Sequence, residues 1–403
     1  MTMVHPATAR VADPEIPSVS ILLAEPVPGP IAAVVEAAGG SISDCHPTQV
    51  TWWPGSSISV RYRVAVEGGE MAGIQDLVAV GGRIPAGAAL VGDGSDQVGV
   101  WRVPYDPALP GLSAALHDDS ARQLLTDLGA ADGPVTTRLR AYRPGRRAVV
   151  SVDGPAQGIY LKLVRPKRIE QLHHDHKRLP QELPVPRSLG YSRELGVMAL
   201  QAMPGRTLRD VLESPHLALP SPGLLTDLIV SLPAPDSDRV NRSIIERVPA
   251  LADLIRRIAP QQAEEVDRFV HDLGEEDVDE LAPVHGDFYE TQVLVEEGSV
   301  VGLLDVDTYG LGRRGDDPGV MLGHLALWQT MSSQPERVRS YARSLLDLWD
   351  QIYDPADIRR RAAAALFTLA SGPFRVQTAD WPGETAARVT LAHRWLLSAR
   401  QIG

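Results

Sequence analysis

The sequence predicts an α+β protein of two lobes, a strand-rich one followed by a mainly helical one, with a further strand-rich module in front. Three observations predict it. Ile58, Val60, Tyr62, Val64 and Val66 alternate with mostly polar neighbours, the period of a half-buried strand, and Leu77–Val80 and Val98–Val103 read as two more strands. Gly158–Val164 is another strand-type run, and helical spacing follows it from about Pro166 to Leu179. From about Val320 the apolar residues fall at helical spacing, in Arg343–Tyr353, Asp357–Ala370 and Thr385–Ser398, with Gly372-Pro373 breaking the chain.

The elements order themselves into four segments. Residues 1–20 are Pro-rich and aperiodic and read as a disordered tail. Residues 21–132 form the N-terminal cap module, closing on the helical spacing of Ser113–Leu128; residues 133–203 form the small lobe and 204–403 the large lobe. Trp53-Pro54-Gly55-Ser56-Ser57-Ile58 resembles Arg143-Pro144-Gly145-Arg146-Arg147-Ala148, each opening a set of strands that ends in a helix, so the cap reads as an echo of the small lobe.

Composition bounds the function. With 403 residues, 44% of them apolar, the chain can bury a sizeable core. A net charge of -12 argues against nucleic acid, whose recognition needs clustered Lys and Arg. Much of the acid lies between Glu264 and Glu280 and reads as a solvated helix face. The single Cys45 excludes an intrachain disulfide and suits a reducing compartment. No run has the length to span a bilayer and no cleavable leader is evident, so the expectation is a cytoplasmic protein without a membrane partner.

The chemistry concentrates in Val284-His285-Gly286-Asp287-Phe288-Tyr289-Glu290-Thr291-Gln292-Val293-Leu294-Val295 and Gly302-Leu303-Leu304-Asp305-Val306-Asp307. An acid and an amide share one loop, and a second acid ends the next apolar strand. That is the layout of a catalytic loop for phosphoryl transfer, in which the protein orients a hydroxyl and holds magnesium against ATP. Asp287 takes the hydroxyl proton in this reading. The Gln292 amide oxygen and the Asp305 carboxylate are the metal ligands, because magnesium prefers hard oxygen donors and takes only one or two from the protein. Val293–Val295 and Val301–Leu304 read as a hairpin around Glu296-Glu297-Gly298-Ser299, which brings Asp287 and Asp305 together. Asp307 is either a second metal-side carboxylate or a solvated loop acid.

At these residues the chain resembles the aminoglycoside phosphotransferase and choline kinase group, small-molecule kinases with a protein-kinase-like fold. The group's motif is His-Gly-Asp, four residues, then Asn. Gln292 stands at the Asn position, and His-Gly-Asp with Gln followed by Val-Leu looks more like bacterial maltokinases and glucosamine kinases. The resemblance implies ATP and Mg2+ as cofactors and a small hydroxyl compound as substrate, preferably a sugar or amino sugar. An aminoglycoside acceptor and a catalytically silent, ligand-binding member are the alternatives. Maltokinases also carry an N-terminal cap.

Only three lysines occur, Lys162, Lys167 and Lys177. Lys162, on a strand followed by a helix carrying Glu170, matches the ion pair by which kinases hold a lysine on the α- and β-phosphates. Glu182 competes for that role but lies among prolines. The cap has no lysine and so cannot be a second kinase of this design. Tyr142–Val150 occupies the phosphate-covering position without a Gly-rich pattern, and Arg146 or Arg147 is placed to touch phosphate or to line a solvated turn. Leu200–Met203, before the Pro204-Gly205 break, is the expected hinge against the adenine, with Leu200, Ala202 and Met203 as its contacts. Asp317, before Pro318, suits the N-cap of the next helix. His173-His174-Asp175-His176 reads as polar helix surface, since a zinc site wants three or four ligands. Trp328, Trp349, Phe374, Trp381 and Trp395 are candidate sugar platforms or core.

Overall fold

The computed structural model describes residues 11–23, 27–154, 158–235, 240–275 and 281–402. The chain divides into two compact units: residues 1–174, 187–202 and 372–381 form the first, and 175–186, 203–371 and 382–403 the second. The division passes through the expected hinge, between Ala202 and Met203. Among the described residues no helix is long and apolar enough to cross a membrane. The part of the acidic stretch at 276–280, and residues 1–10 of the expected tail, lie outside the described residues.

The first unit opens with α1 (Ser18–Leu22) and α2 (Gly29–Ala37), then β1 (Ser41–Trp53), β2 (Ser57–Glu67), β3 (Gly73–Gly82), β4 (Ala89–Val91) and β5 (Val98–Arg102). These strands form one antiparallel sheet in the order β1-β2-β3-β5-β4. The chain continues through α3 (Leu112–Ala115), α4 (Asp118–Asp127), β6 (Thr136–Arg143), β7 (Arg147–Asp153), β8 (Ile159–Val164), α5 (Pro166–Arg178), β9 (Ser188–Ser192) and β10 (Val197–Gln201). Their sheet is ordered β6-β7-β8-β10-β9, the same topology.

The likeness extends to single hydrogen bonds. Asp13 accepts from Trp52 Nε1 at 3.2 Å and from the Gly55 amide at 2.9 Å. Asp106 accepts from the Tyr142 hydroxyl at 2.8 Å and the Gly145 amide at 2.7 Å. Both acids open an Asp-Pro-x-Ile/Leu-Pro stretch, and the amides of Ile16 and Leu109 return to the Asp13 and Asp106 carbonyls at 3.0 and 3.1 Å. The Pro-Gly turns match too, with φ +67° at Gly55 and +66° at Gly145, a conformation glycine adopts without steric cost. The cap is therefore a structural copy of the small lobe.

This corrects the expected tail. Val11, Ile16, Val19 and Leu22 are buried, and Asp13 ties the segment to the β1–β2 turn, so residues 11–20 are packed structure. The copies differ at two points. Val149 pairs with Lys162 and its counterpart Ser59 pairs with Val80, so Val80 takes the lysine's place; and residues 83–88 link β3 to β4 where α5 links β8 to β9. In the second copy α5 covers the lysine's sheet face through Ile169 and Leu172, packed on Val164, Met198 and Leu200. In the first copy Val78, Val80 and Trp101 on that face join one core with Leu109, Leu112, Ala115, Leu124 and Leu125. Thus α3 and α4 form a layer shared by both sheets, and the first copy's would-be site face is filled.

In the second unit β11 (Arg206–Thr207), α6 (Leu208–Glu213) and α7 (Pro222–Val230) precede α8 (Val248–Ile258) and α9 (Ala263–Leu273). Then come β12 (Leu281–Val284), β13 (Val293–Glu296), β14 (Ser299–Leu303), β15 (Gly310–Arg313), α10 (Asp316–Gln329), α11 (Pro335–Trp349) and α12 (Pro355–Leu369). After α13 (Gly372–Val376), which belongs to the first unit, α14 (Trp381–Arg400) returns to the second. α10 is buried over most of its length and lies close against α12. A Cβ on Gly319 would sit 2.5 Å from Arg361 Cβ, and one on Gly323 2.7 Å from Ala365 Cβ, so two glycines permit the approach. Arg361, itself buried, binds Asp316 and Asp357 at 2.7 Å each. Three of the aromatic candidates are core, Trp349 fully buried with Nε1 on Thr226 Oγ1 at 2.9 Å and Phe374 packed edge-on against Trp381 at 5.1 Å, whereas Trp328 and Trp395 are only partly buried.

Removing one buried acceptor leaves several donors unmade, at about 1–3 kcal/mol each. Asp106→Ala is expected to lower the unfolding free energy by about 3 kcal/mol, and Asp106→Asn by less. Chemical denaturation checks this; a change under about 1 kcal/mol in both would show that the acid does not hold the turn.

Candidate active site

The second unit frames the predicted loop between two short strands. Val284 pairs with Gly310 across β12 and β15, which sets His285-Gly286-Asp287 beside Thr308. Thr308 Oγ1 donates to the His285 carbonyl at 2.8 Å, and Asn241 Nδ2 donates to the Thr308 carbonyl at 2.7 Å. Gly286 has φ +79°, and a Cβ there would lie 2.9 Å from the Thr308 oxygen. Only glycine fits that crossing without displacement.

Asp317 holds the loop from beneath. Its carboxylate accepts the His285 amide at 2.7 Å and the Gly286 amide at 2.9 Å. Complete burial pushes its pKa above the ordinary carboxylate range, although His285 and the two amides favour the charged form. The N-cap expectation is corrected: Gly315 caps α10, Asp316 and Asp317 lie in its first turn, and the Asp317 side chain turns to the loop rather than to its own helix. An acid there also suits the positive end of the helix dipole.

His285 is fully buried and serves structure. Nε2 donates to the Leu304 carbonyl at 2.8 Å, leaving Nδ1 to accept the Asp287 amide at 3.3 Å. The Leu304 amide in turn donates to the Gln292 carbonyl at 2.7 Å. These bonds bring the residue before Asp305 to the residue carrying the predicted amide ligand. Asp305 has φ +55°, a left-handed conformation that Asp tolerates better than most residues. The Asp287 and Asp305 side chains are partly exposed, whereas Gln292 is buried.

Tyr289 stands among them. Its hydroxyl pKa is raised, first by burial and then by the Asp287 carboxylate, with Asp305 adding to it, while hydrogen bonds with Thr291 and Gln292 oppose the rise. Its ring stacks on His324 at 4.1 Å. His324 faces Glu290, with Nδ1 3.6 Å from Oε2, and Glu290, 0% exposed, also receives Arg209 Nε at 2.9 Å. The Arg209 guanidinium lies 4.2 Å above the Trp328 ring. Sequence reasoning missed Tyr289, Glu290, His324 and Arg209. Tyr289 and Glu290 sat inside the motif, but nothing in the spacing of Arg209 or His324 pointed there.

Hard oxygen donors at Gln292 and Asp305 fit magnesium, which takes few protein ligands. Among the described residues no three His, Cys, Asp or Glu side chains converge as a metal cluster, so His173-His174-Asp175-His176 is not one. His173 binds Ser188 Oγ at 2.7 Å. His176 Nδ1 meets the Pro186 carbonyl at 3.2 Å and its Nε2 lies 3.5 Å from Asp307.

In the first unit Lys162 is buried on β8, with Met198 and Val149 as its cross-strand neighbours. The expected Lys162–Glu170 pairing is not what α5 presents. Glu170 is ion-paired with Arg193 and accepts from Tyr191 at 3.4 Å. Those partners are on or just past β9, separated from β8 by β10, and strands lie about 4.8 Å apart, so Glu170 leans two strands away from the lysine. At the expected hinge Leu200 is in β10, the Ala202 amide donates to the Gly158 carbonyl at 3.0 Å, and Met203 begins the second unit. Ala202 therefore has no amide to offer a base edge.

No protein-family model matches the sequence, and no curated protein does. Among solved structures, similarity is found to a thermostable mutant of aminoglycoside phosphotransferase APH(4)-Ia in ternary complex with AMP-PNP and hygromycin B (15% identity, 68% of this chain and 98% of that chain, TM-score 0.47). Others are choline kinase from Cryptosporidium parvum Iowa II (11%, 66% and 90%, TM-score 0.45) and aminoglycoside-3'-phosphotransferase of type VIII (19%, 62% and 99%, TM-score 0.42).

His324 yields a pH prediction. Burial, helped by Arg209, lowers its pKa, and Glu290 and Asp287 only partly counter this. The folded chain then binds fewer protons here than the unfolded chain, whose histidine titrates near about 6.5. Its stabilising share is complete above that pH and is lost as pH falls below it. Wild type should lose more stability than His324→Gln between about pH 7.5 and 5, as measured by denaturation at each pH. Parallel curves would reject the assignment.

Proposed function

We propose that the chain is an ATP- and magnesium-dependent phosphotransferase that moves the γ-phosphate to a hydroxyl of a small polar molecule, a sugar or amino sugar. The observation that carries this reading is the clamped loop, in which Asp317, Thr308 and His285 fix Asp287 beside a segment that ends in Asp305. Asp287 accepts the hydrogen bond of the acceptor hydroxyl, aims its oxygen, and takes its proton as transfer proceeds. Gln292 and Asp305 would hold magnesium, which when bound would neutralise charge on the phosphates. The Tyr289 hydroxyl, close to both acids, is a polar contact for the transferring group. Lys162 takes the α- and β-phosphates, and the Leu200–Met203 segment meets the adenine through Leu200 and Met203. The protein acts in the cytoplasm.

His285 belongs to this mechanism only as a brace. Its backbone amide, its carbonyl and both ring nitrogens are taken up by internal contacts, so the histidine of the motif carries no proton for the reaction.

Turnover of ATP with magnesium across a panel of sugars, amino sugars and aminoglycosides tests the reading. Asp287→Asn should cut kcat by about 10²–10⁴-fold, the usual range for a positioned proton acceptor, with an unchanged melting temperature. Undiminished turnover in that variant would sink the mechanism, and an aminoglycoside as the preferred acceptor would replace the sugar.

A further inference from the structure

Two copies of one sheet allow a comparison within the chain. Their Pro-Gly turns share a backbone: the Ser56 amide donates to the Trp53 carbonyl at 2.9 Å and the Arg146 amide to the Arg143 carbonyl at 3.0 Å. The first copy builds its turn with Ser56 and Ser57, the second with Arg146 and Arg147. The arginines are therefore not needed to make the turn.

More cations gather at the second turn. Arg147 pairs with Val164, so the turn lies beside Arg165, whose Nε donates to the Gly145 carbonyl at 2.8 Å. Arg168 follows in the first turn of α5, which holds no acid although a helix N-terminus disfavours cations. Burial lowers the Arg146 pKa, and Arg147, Arg165 and Arg168 lower it further, so these guanidiniums repel one another. Arg146 forms no ion pair among the described residues; it lies 5.4 Å over the Trp53 ring. Arg168 forms none either. Asp106, the acid beneath the turn, is taken up by Tyr142, Gly145 and Ala108. A cationic knot of this kind, in a chain of net charge -12, marks a place for an anion.

Register shows which anion. Val149 is opposite Lys162 and Arg147 is opposite Val164, so Arg147 and Lys162 are on one face of the sheet as diagonal neighbours, about 7–8 Å apart. We infer that Arg146, Arg147, Arg165 and Arg168 form a phosphate grip for a nucleoside triphosphate, guanidinium groups serving where protein kinases use a glycine-rich loop. This rests on the phosphotransferase reading only for the identity of the nucleotide; the phosphate chemistry stands apart from it.

Calorimetric titration of the full chain with a non-hydrolysable ATP analogue plus magnesium, with inorganic tripolyphosphate, and with adenosine tests the grip. Arg146→Ser/Arg147→Ser, which installs the first copy's residues, and separately Arg168→Ala, should weaken the analogue and tripolyphosphate by about tenfold or more while leaving adenosine unaltered, since a charged hydrogen bond contributes about 1.5–3 kcal/mol. The salt dependence of analogue binding should flatten in step, and the melting temperature should hold. Unchanged affinity for the analogue in both variants overturns the grip and leaves the phosphotransferase reading intact. Arginine-dependent binding of tripolyphosphate without binding of the analogue supports the grip and removes the ATP reading. Binding of neither by wild type overturns both.

Discussion

A buried carboxylate governs the second unit. Asp317 is removed from water, which costs several kcal/mol for an ion, and the two loop amides together with the α10 dipole offset that cost. Its pKa stays raised, so the compensation is partial. What the arrangement secures is the path of His285-Gly286-Asp287, because the acid cannot keep its bonds if the loop moves. α10 is itself held by α12, through Gly319 and Gly323 and the Arg361–Asp316 pair. A line of rigid contacts thus runs from a helix core to the side chain assigned the chemistry.

Around that line lies a second set of polar residues with a different character. Glu290, Arg209 and His324 are near or below the surface and lean on Tyr289 and Trp328, not on the backbone. One oxygen of Glu290 makes no hydrogen bond. Unmade buried bonds are expensive, and functional sites are where folds keep them. The cluster draws on the fifth and sixth positions of the motif and on α6 and α10, so it shapes the ground next to Asp287 without sharing its clamp.

The first unit shows one frame used twice. Both copies keep the Asp clasp and the Pro-Gly turn, which are structural. The second keeps a lysine, a helix and four arginines; the first has Val80, a short link and serines, and hands its open face to α3 and α4 as core. Identical topology with opposite surface chemistry separates what the sheet needs to fold from what was added to it.

Much of this was legible because it is local. Strand alternation at Ile58–Val66, the helix after Val164, and the acid–amide–acid spacing from Asp287 to Asp305 are written at short range, where period and side-chain type suffice. By itself the sequence determined the α+β order of elements, the acid–amide–acid spacing of the loop and the strand that carries Lys162. The tertiary structure alone decided that Asp317 faces the loop instead of capping its helix, that Glu170 turns to Arg193, that residues 11–20 are packed, and that His324 joins Tyr289. Each of these is a partnership between residues distant along the chain or on different faces of an element. Composition and period carry no record of such pairings, because they are set by which surfaces the folded chain brings together.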